Sequence, residues 1–212
     1  MALAQIGVSR FIQSPTDTSV QTLTCNVWWE SVRDQCLSDF PWVFAMRFNQ
    51  LQLISKTVPS WCYVYGYPAD CLTARVLMST PGAVATAPSG YFNSTVGTPS
   101  PSWVREWQTR KVPFQTVENE VGGGLAIATD LQFATLMYTA KVTTYTLWSP
   151  AFVNCLALLL ASKIAGPLSS NPKYASDLGR AYEVALLKAG ASSMNESQER
   201  PEPESEFIAT RG

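Results

Sequence analysis

The stretch Ser149–Ser170, SPAFVNCLALLLASKIAGPLSS, governs how the rest of the chain is read. Between Ala151 and Ala165 its only polar side chains are Asn154, Ser162 and Lys163. A surface helix needs a full polar face, which this run lacks, so the pattern predicts a helix that is apolar nearly all round and buried. Crossing a hydrocarbon core of about 30 Å takes roughly 20 apolar residues, and the run closes before that at Gly166-Pro167. The expectation is the central helix of a bundle rather than a membrane span.

Its partner follows directly. In SSNPKYASDLGRAYEVALLKAGASS, Ser170 or Asn171 serves as cap and Pro172 as first helical residue, and Tyr174, Leu178, Tyr182, Ala185 and Ala189 share one face. Upstream, Thr18 to Phe40 reads as a helix capped by Asp17 or Ser19, with apolar pairs Cys25/Trp29, Trp28/Val32 and Val32/Cys36 at i, i+4. A shorter helix is expected from Ala2 to Ile12. After Pro41 the texture changes. WVFAMRFNQLQLIS and WCYVYGYP are rich in aromatic and β-branched residues and read as extended structure. PFQTVENE and GGGLAIAT read as a hairpin turning at Gly122, Gly123 and Gly124, with ATLMYTAKV as a possible third strand. From Thr80 to Pro113 the chain is dominated by Pro, Gly, Ser and Thr, the chemistry of an arm or long loop. Beyond Ala191, five glutamates stand against two arginines, with Phe207-Ile208 as a lone apolar pair, so a tail is expected.

The expected fold is therefore mainly α: a helical bundle with an inserted antiparallel β hairpin or small β region and an extended C-terminal tail. Residues 1–40 form the N-terminal part of the bundle, 41–147 the inserted β and loop region, 148–191 the C-terminal part of the bundle, and 192–212 the tail.

Composition restricts the chemistry. The 212 residues are 46% hydrophobic and only 15% charged, with a net charge of −1. Average chains carry about 25% charged residues, so few charges remain to coat a free monomer. Nucleic-acid affinity depends on clustered Lys and Arg, and the 15 basic residues are dispersed, which weighs against tight DNA binding and against a single-strand-binding groove lined by the seven tryptophans. Histidine is absent, removing the usual general base, metal ligand and nucleophile activator. Five cysteines without a C-x-x-C pair, behind an N-terminus with no basic and apolar leader pattern, suggest reduced thiols in a cytosolic compartment. Cys71 reads as structural, Ser170-Asn171-Pro172-Lys173 as a helix start rather than an S-x-x-K nucleophile, and the triple glycine as a turn. No catalytic, cofactor or metal residues are expected. Carboxylates Asp70, Glu118, Glu120 and Asp130 keep open an alternative, a carboxylate-based glycosidase acting during cell entry, which needs two of them to converge in a groove.

The ordered motifs ALAQIGVSRF, WVFAMRF, YGYPADCLTARVL, TDLQFATLMYTAKV and LWSPAFVNCLALLLASKIAGPLSSN, followed by a final amphipathic helix, resemble the head-to-tail adaptors of short-tailed bacteriophages, the tail tubular protein A family. The resemblance covers most of the chain, and its most telling parts are the Y-P-x-D-C-L stretch and the apolar helix with its P-L-S end. It implies a structural virion protein without enzymatic activity, assembled in the bacterial cytoplasm as a ring of about twelve copies below the portal protein. That ring continues the DNA channel, with double-stranded DNA only as transiting cargo, and forms a platform for a tail tubular protein B-like nozzle and for tail fibres. Near-neutral charge suits a channel through which DNA slides, since each phosphate contact strengthens binding. A neck or tail-completion protein of a longer-tailed phage is the nearest alternative. The family's habit of embracing the portal, joined to the pattern of the tail, marks Phe207, Ile208 and Arg211 as docking residues for the portal or a neighbouring adaptor.

Overall fold

The computed structural model describes residues 1–7, 12, 14, 16–79, 112–119, 123–169 and 173–194. Residues 195–212 of the expected tail, Ser170 to Pro172, and nearly all of the Thr80 to Pro113 arm lie outside these, while 192–194, expected as the start of the tail, belong to the last helix. Among the described residues there are four α-helices: α1 (Ala2–Gln5), α2 (Val20–Asp39), α3 (Pro150–Leu168) and α4 (Lys173–Met194). Six strands join them: β1 (Met46–Gln50), β2 (Tyr63–Gly66), β3 (Cys71–Ser79), β4 (Phe114–Glu118), β5 (Leu125–Thr129) and β6 (Ala134–Ala140). The chain divides into two compact units, Met1–Val32 with Ser149–Gly212, and Arg33–Trp148.

The mainly α expectation is corrected. About 47% of the described residues are helical and 26% lie in strands, arranged as two three-stranded antiparallel sheets, so the fold is α+β. The β region is a structured unit with its own core, and a hairpin is only part of it. One sheet has the order β1-β6-β3 and the other β2-β5-β4. The glycine hairpin is there, β4 pairing β5, with Gly123 and Gly124 at positive φ and Asn119 N–H donating to the Gly124 carbonyl at 2.9 Å. The expected third strand, β6, is the centre of the other sheet. Five of the six strands fall in stretches read as extended, and what the sequence hid is β3 and the pairing of the strands into two sheets. In β5, Ile127 joins a core with Tyr65, Leu77, Leu136 and Tyr138, while Ala126 and Ala128 join a second cluster with Val64, Trp61 and Val117. A strand apolar on both faces loses the alternation that would assign one face to the core. The first cluster draws on both sheets, so they share one core.

The segment after β1 links the sheets at their edges: Leu51 N–H donates to Ala134 O in one, and Gly66 N–H donates to Gln52 O in the other, both at 2.9 Å. The end of α2 carries no basic residue and no glycine cap, so its last carbonyls depend on distant donors. Trp42 Nε1 reaches Cys36 O at 2.8 Å, and Arg75 Nη2, on β3, reaches Ser38 O at 2.6 Å. Arg75 also donates from Nε to Thr139 Oγ1 at 3.0 Å, tying β3 to β6 at the same point. Asp34 joins this end to the chain after β6 through Lys141 Nζ at 3.0 Å, and holds the buried Arg33 through Nε at 2.9 Å.

In the other unit α3 packs along α4 and against α1. Ser149 caps α3, its Oγ accepting from Phe152 N–H at 3.3 Å, with Pro150 in the first helical position. Leu156 to Leu160 are buried in succession, which at about 100° per residue covers the whole circumference. The helix passes through Gly166 and Pro167 to Leu168, a turn further than expected, because a proline so near the end forfeits little of the hydrogen-bond ladder. At 19 residues α3 has the length and composition to cross a membrane, although ten of those residues are buried within the protein. Helix α2 is capped by Ser19, whose Oγ lies 3.4 Å from Thr22 N, rather than by Asp17. Only Ala2–Gln5 of the expected first helix is helical, and residues 8–11 are not among those described.

Candidate functional site

The YGYPADC stretch is the most densely bonded polar point in the β unit. Pro68 sets a turn closed by Cys71 N–H donating to Pro68 O at 3.0 Å. The turn presents Asp70 to the strands beside it. Arg47 Nη1, on β1, meets Asp70 Oδ2 at 2.7 Å, Tyr138 on β6 donates its hydroxyl to Asp70 Oδ1 at 2.9 Å, and Lys141 N–H donates to the Asp70 carbonyl at 2.7 Å. One residue thus ties together β1, β6 and the start of β3. Burial, reinforced by the Asp70 carboxylate, pushes the Tyr138 phenol up to about 12, so it remains a neutral donor. Burial also raises the Cys71 thiol, and burial followed by a hydrogen bond to Cys71 raises the Tyr67 phenol. A thiol held protonated is a poor nucleophile. The arrangement is chemically a lock on the turn.

Its energetic weight lies in Tyr138 rather than in the ion pair, because Arg47 and Asp70 are both open to solvent and such pairs contribute about 0–1 kcal/mol. Asp70→Asn, which keeps an acceptor for Tyr138, is expected to cost at most about 1 kcal/mol, whereas Asp70→Ala should cost about 1–3 kcal/mol by stranding a part-buried hydroxyl. Urea unfolding of the two variants checks this, and equal losses would assign the effect to the ion pair.

Of the other carboxylates, Glu118 and Asp130 do not converge with one another. Glu118 pairs with Leu125 at one end of the hairpin, while Asp130 follows Thr129 at the other, about 16 Å away along the strand at about 3.3 Å per residue. Glycoside hydrolysis requires carboxyl groups about 5–9.5 Å apart. Asp130 is engaged locally, its Oδ1 accepting from Cys62 N–H at 3.0 Å, and it raises the exposed Cys62 thiol through a hydrogen bond. Glu120 is outside the described residues. The five cysteines are free, and among the described residues no His/Cys/Asp/Glu group is assembled that could hold a metal ion.

The helical unit offers surfaces of a different kind. On α2, Val20, Leu23 and Val27 are 66%, 54% and 76% exposed, with Trp28 and Trp29 partly so beside them. Periodicity indicated an apolar face here, but could not tell that only Thr22 and Val32 of this part of α2 are buried. Between α3 and α4 runs an open groove of about 540 Å³. Ala181, Ala185 and Ala189 keep its floor low, Leu158 and Val184 wall it, and Arg180 and Lys188 stand on its rim. No sequence signal marked this groove, since alanines on an amphipathic helix read as ordinary packing. Phe207, Ile208 and Arg211 are outside the described residues. No model of a known protein family matches the chain, and no curated protein matches it in sequence.

Proposed function

We propose that the chain is a structural virion protein, a head-to-tail adaptor of a short-tailed phage that forms a ring, of about twelve copies, below the portal. The observation that supports this best is the exposed apolar stripe of α2: Val20, Leu23 and Val27 recur at helical spacing on one face, and the partly exposed Trp28 and Trp29 carry apolar surface round the other sides of the helix. Exposed apolar residues on a monomer are ordinarily scattered, and an apolar stripe repeated along one helix face marks a surface suited to a protein contact. The resemblance of the ordered motifs to the adaptor family supports the choice of partners for that contact: neighbouring copies and the portal above, nozzle and fibre proteins below, with DNA passing through the lumen. In this reading Phe207, Ile208 and Arg211 dock on the portal or a neighbouring adaptor.

The experiment is reconstitution with the portal of the same phage, followed by electron microscopy. Native chain is expected to form rings on the portal. Val27→Glu should abolish them while moving the folding stability by no more than about 0.5 kcal/mol, as exposed helix positions do. Truncation after Ser193 should leave the fold intact and weaken attachment about tenfold, or about 1.4 kcal/mol. Failure of the native chain to assemble on any portal overturns the proposal.

A further inference from the structure

The α3–α4 groove joins an apolar floor to two cations, Arg180 and Lys188. Arg180 and Lys188 lie two turns apart on one face of α4, and neither has an ion-pair partner among the described residues. An occupant suited to it carries an apolar anchor flanked by acidic groups. The chain itself contains such a segment: in ERPEPESEFIATRG, Glu202, Glu204 and Glu206 lead directly into Phe207-Ile208. We propose that this segment of one copy docks in the α3–α4 groove of a neighbouring copy, Phe207 and Ile208 against Val184 and Ala185, the glutamates facing Arg180 and Lys188.

Reach favours a neighbour. The groove extends from Ser192 back to Arg180, about 18 Å at 1.5 Å per residue. Phe207 comes thirteen positions after Met194, with Pro201 and Pro203 on the way, and at about 3.1 Å per residue for proline-rich extended chain that is about 40 Å. To sit in its own groove the segment would have to reverse at the end of α4 and discard more than half of that length. A swapped arm uses it, and links each copy to the next without a large rigid interface. The inference rests on the reading of the protein as a multi-copy ring, and it narrows the docking partner to the adaptor itself.

The test uses the full chain with the photo-crosslinker p-benzoylphenylalanine in place of Phe207, prepared as a mixture of isotopically light and heavy copies, with and without portal. Irradiation is expected to join light to heavy chains, with the attachment on peptides of the groove near Leu158, Val184 and Ala185. Arg180→Glu together with Lys188→Glu, both at exposed positions, should lower that yield about tenfold, and Glu202→Lys, Glu204→Lys and Glu206→Lys in the same chain should restore it. Crosslinks confined to single chains, attachment outside the groove, or a yield indifferent to the charge reversal would each overturn the inference. Attachment that moves wholly to the portal overturns it while leaving the ring intact. Light-to-heavy groove crosslinks without any ring on the portal support the docking and remove the adaptor role.

Discussion

Trp42→Ala should destabilise the Arg33–Trp148 unit by about 3–5 kcal/mol, the range for truncating a large buried aromatic. Trp42 is 2% exposed and is the largest fully buried side chain. Phe40 packs edge-on to it with ring centroids 5.1 Å apart, and Phe44 lies at 6.1 Å. Its indole also does what the sequence of α2 cannot: it satisfies the Cys36 carbonyl in the last turn. The alanine variant therefore loses packing and a helix cap together. Trp42→Phe isolates the second loss and should cost less, about 1–3 kcal/mol, as one buried acceptor is orphaned. Chemical denaturation with an unchanged dependence on denaturant is the measurement, and a loss under about 1 kcal/mol for Trp42→Ala would contradict the burial.

In the helical unit, Leu156→Ala is expected to cost about 2–5 kcal/mol, with Leu160→Ala close behind. Leu156 is buried midway along α3, in the run where every side chain is enclosed, so the space its removal leaves cannot be filled from solvent. Leu187→Ala on α4 is the matched control: that side chain is 76% exposed, and its loss should register within about 0.5 kcal/mol. A change under about 0.5 kcal/mol at Leu156 would assign α3 to a surface and leave its apolar character to a partner or a bilayer.

The three longer helices were legible because much of their signal is local. An apolar run marks the burial of α3 and cap chemistry at Asp17 or Ser19 marks the start of α2, whereas the Ser149 cap of α3 came from the structure and the first helix, expected to reach Ile12, is helical only over Ala2–Gln5. The glycine turn of the β4–β5 hairpin was legible for the same reason, since positive φ at Gly123 and Gly124 is a property of the residue. The Asp70 lock was half legible. Its motif stood out as a string of letters, yet its partners Arg47 and Tyr138 come from strands 23 and 68 positions away, and spacing says nothing about what such residues will meet.

By itself the sequence determined that α3 would be buried, that the chain lacks histidine chemistry, and where helices and the glycine turn begin, because these depend on residues within a few positions of one another. Only the tertiary structure decided that β3 is a strand and how the six described strands pair into two sheets over a common core, since a local pattern does not say which strand a segment will meet. It alone decided that Phe133 adopts φ +59°, a conformation no local preference of phenylalanine favours, between β5 and β6. It alone decided that α2 ends on donors from Trp42 and Arg75, and that alanines at 181, 185 and 189 leave an open groove beneath two cations. The physical reason is common to all of these: a side chain's propensity acts on its own turn of chain, whereas pairing, capping at a distance and the shape of a hollow are set by which segments are brought together.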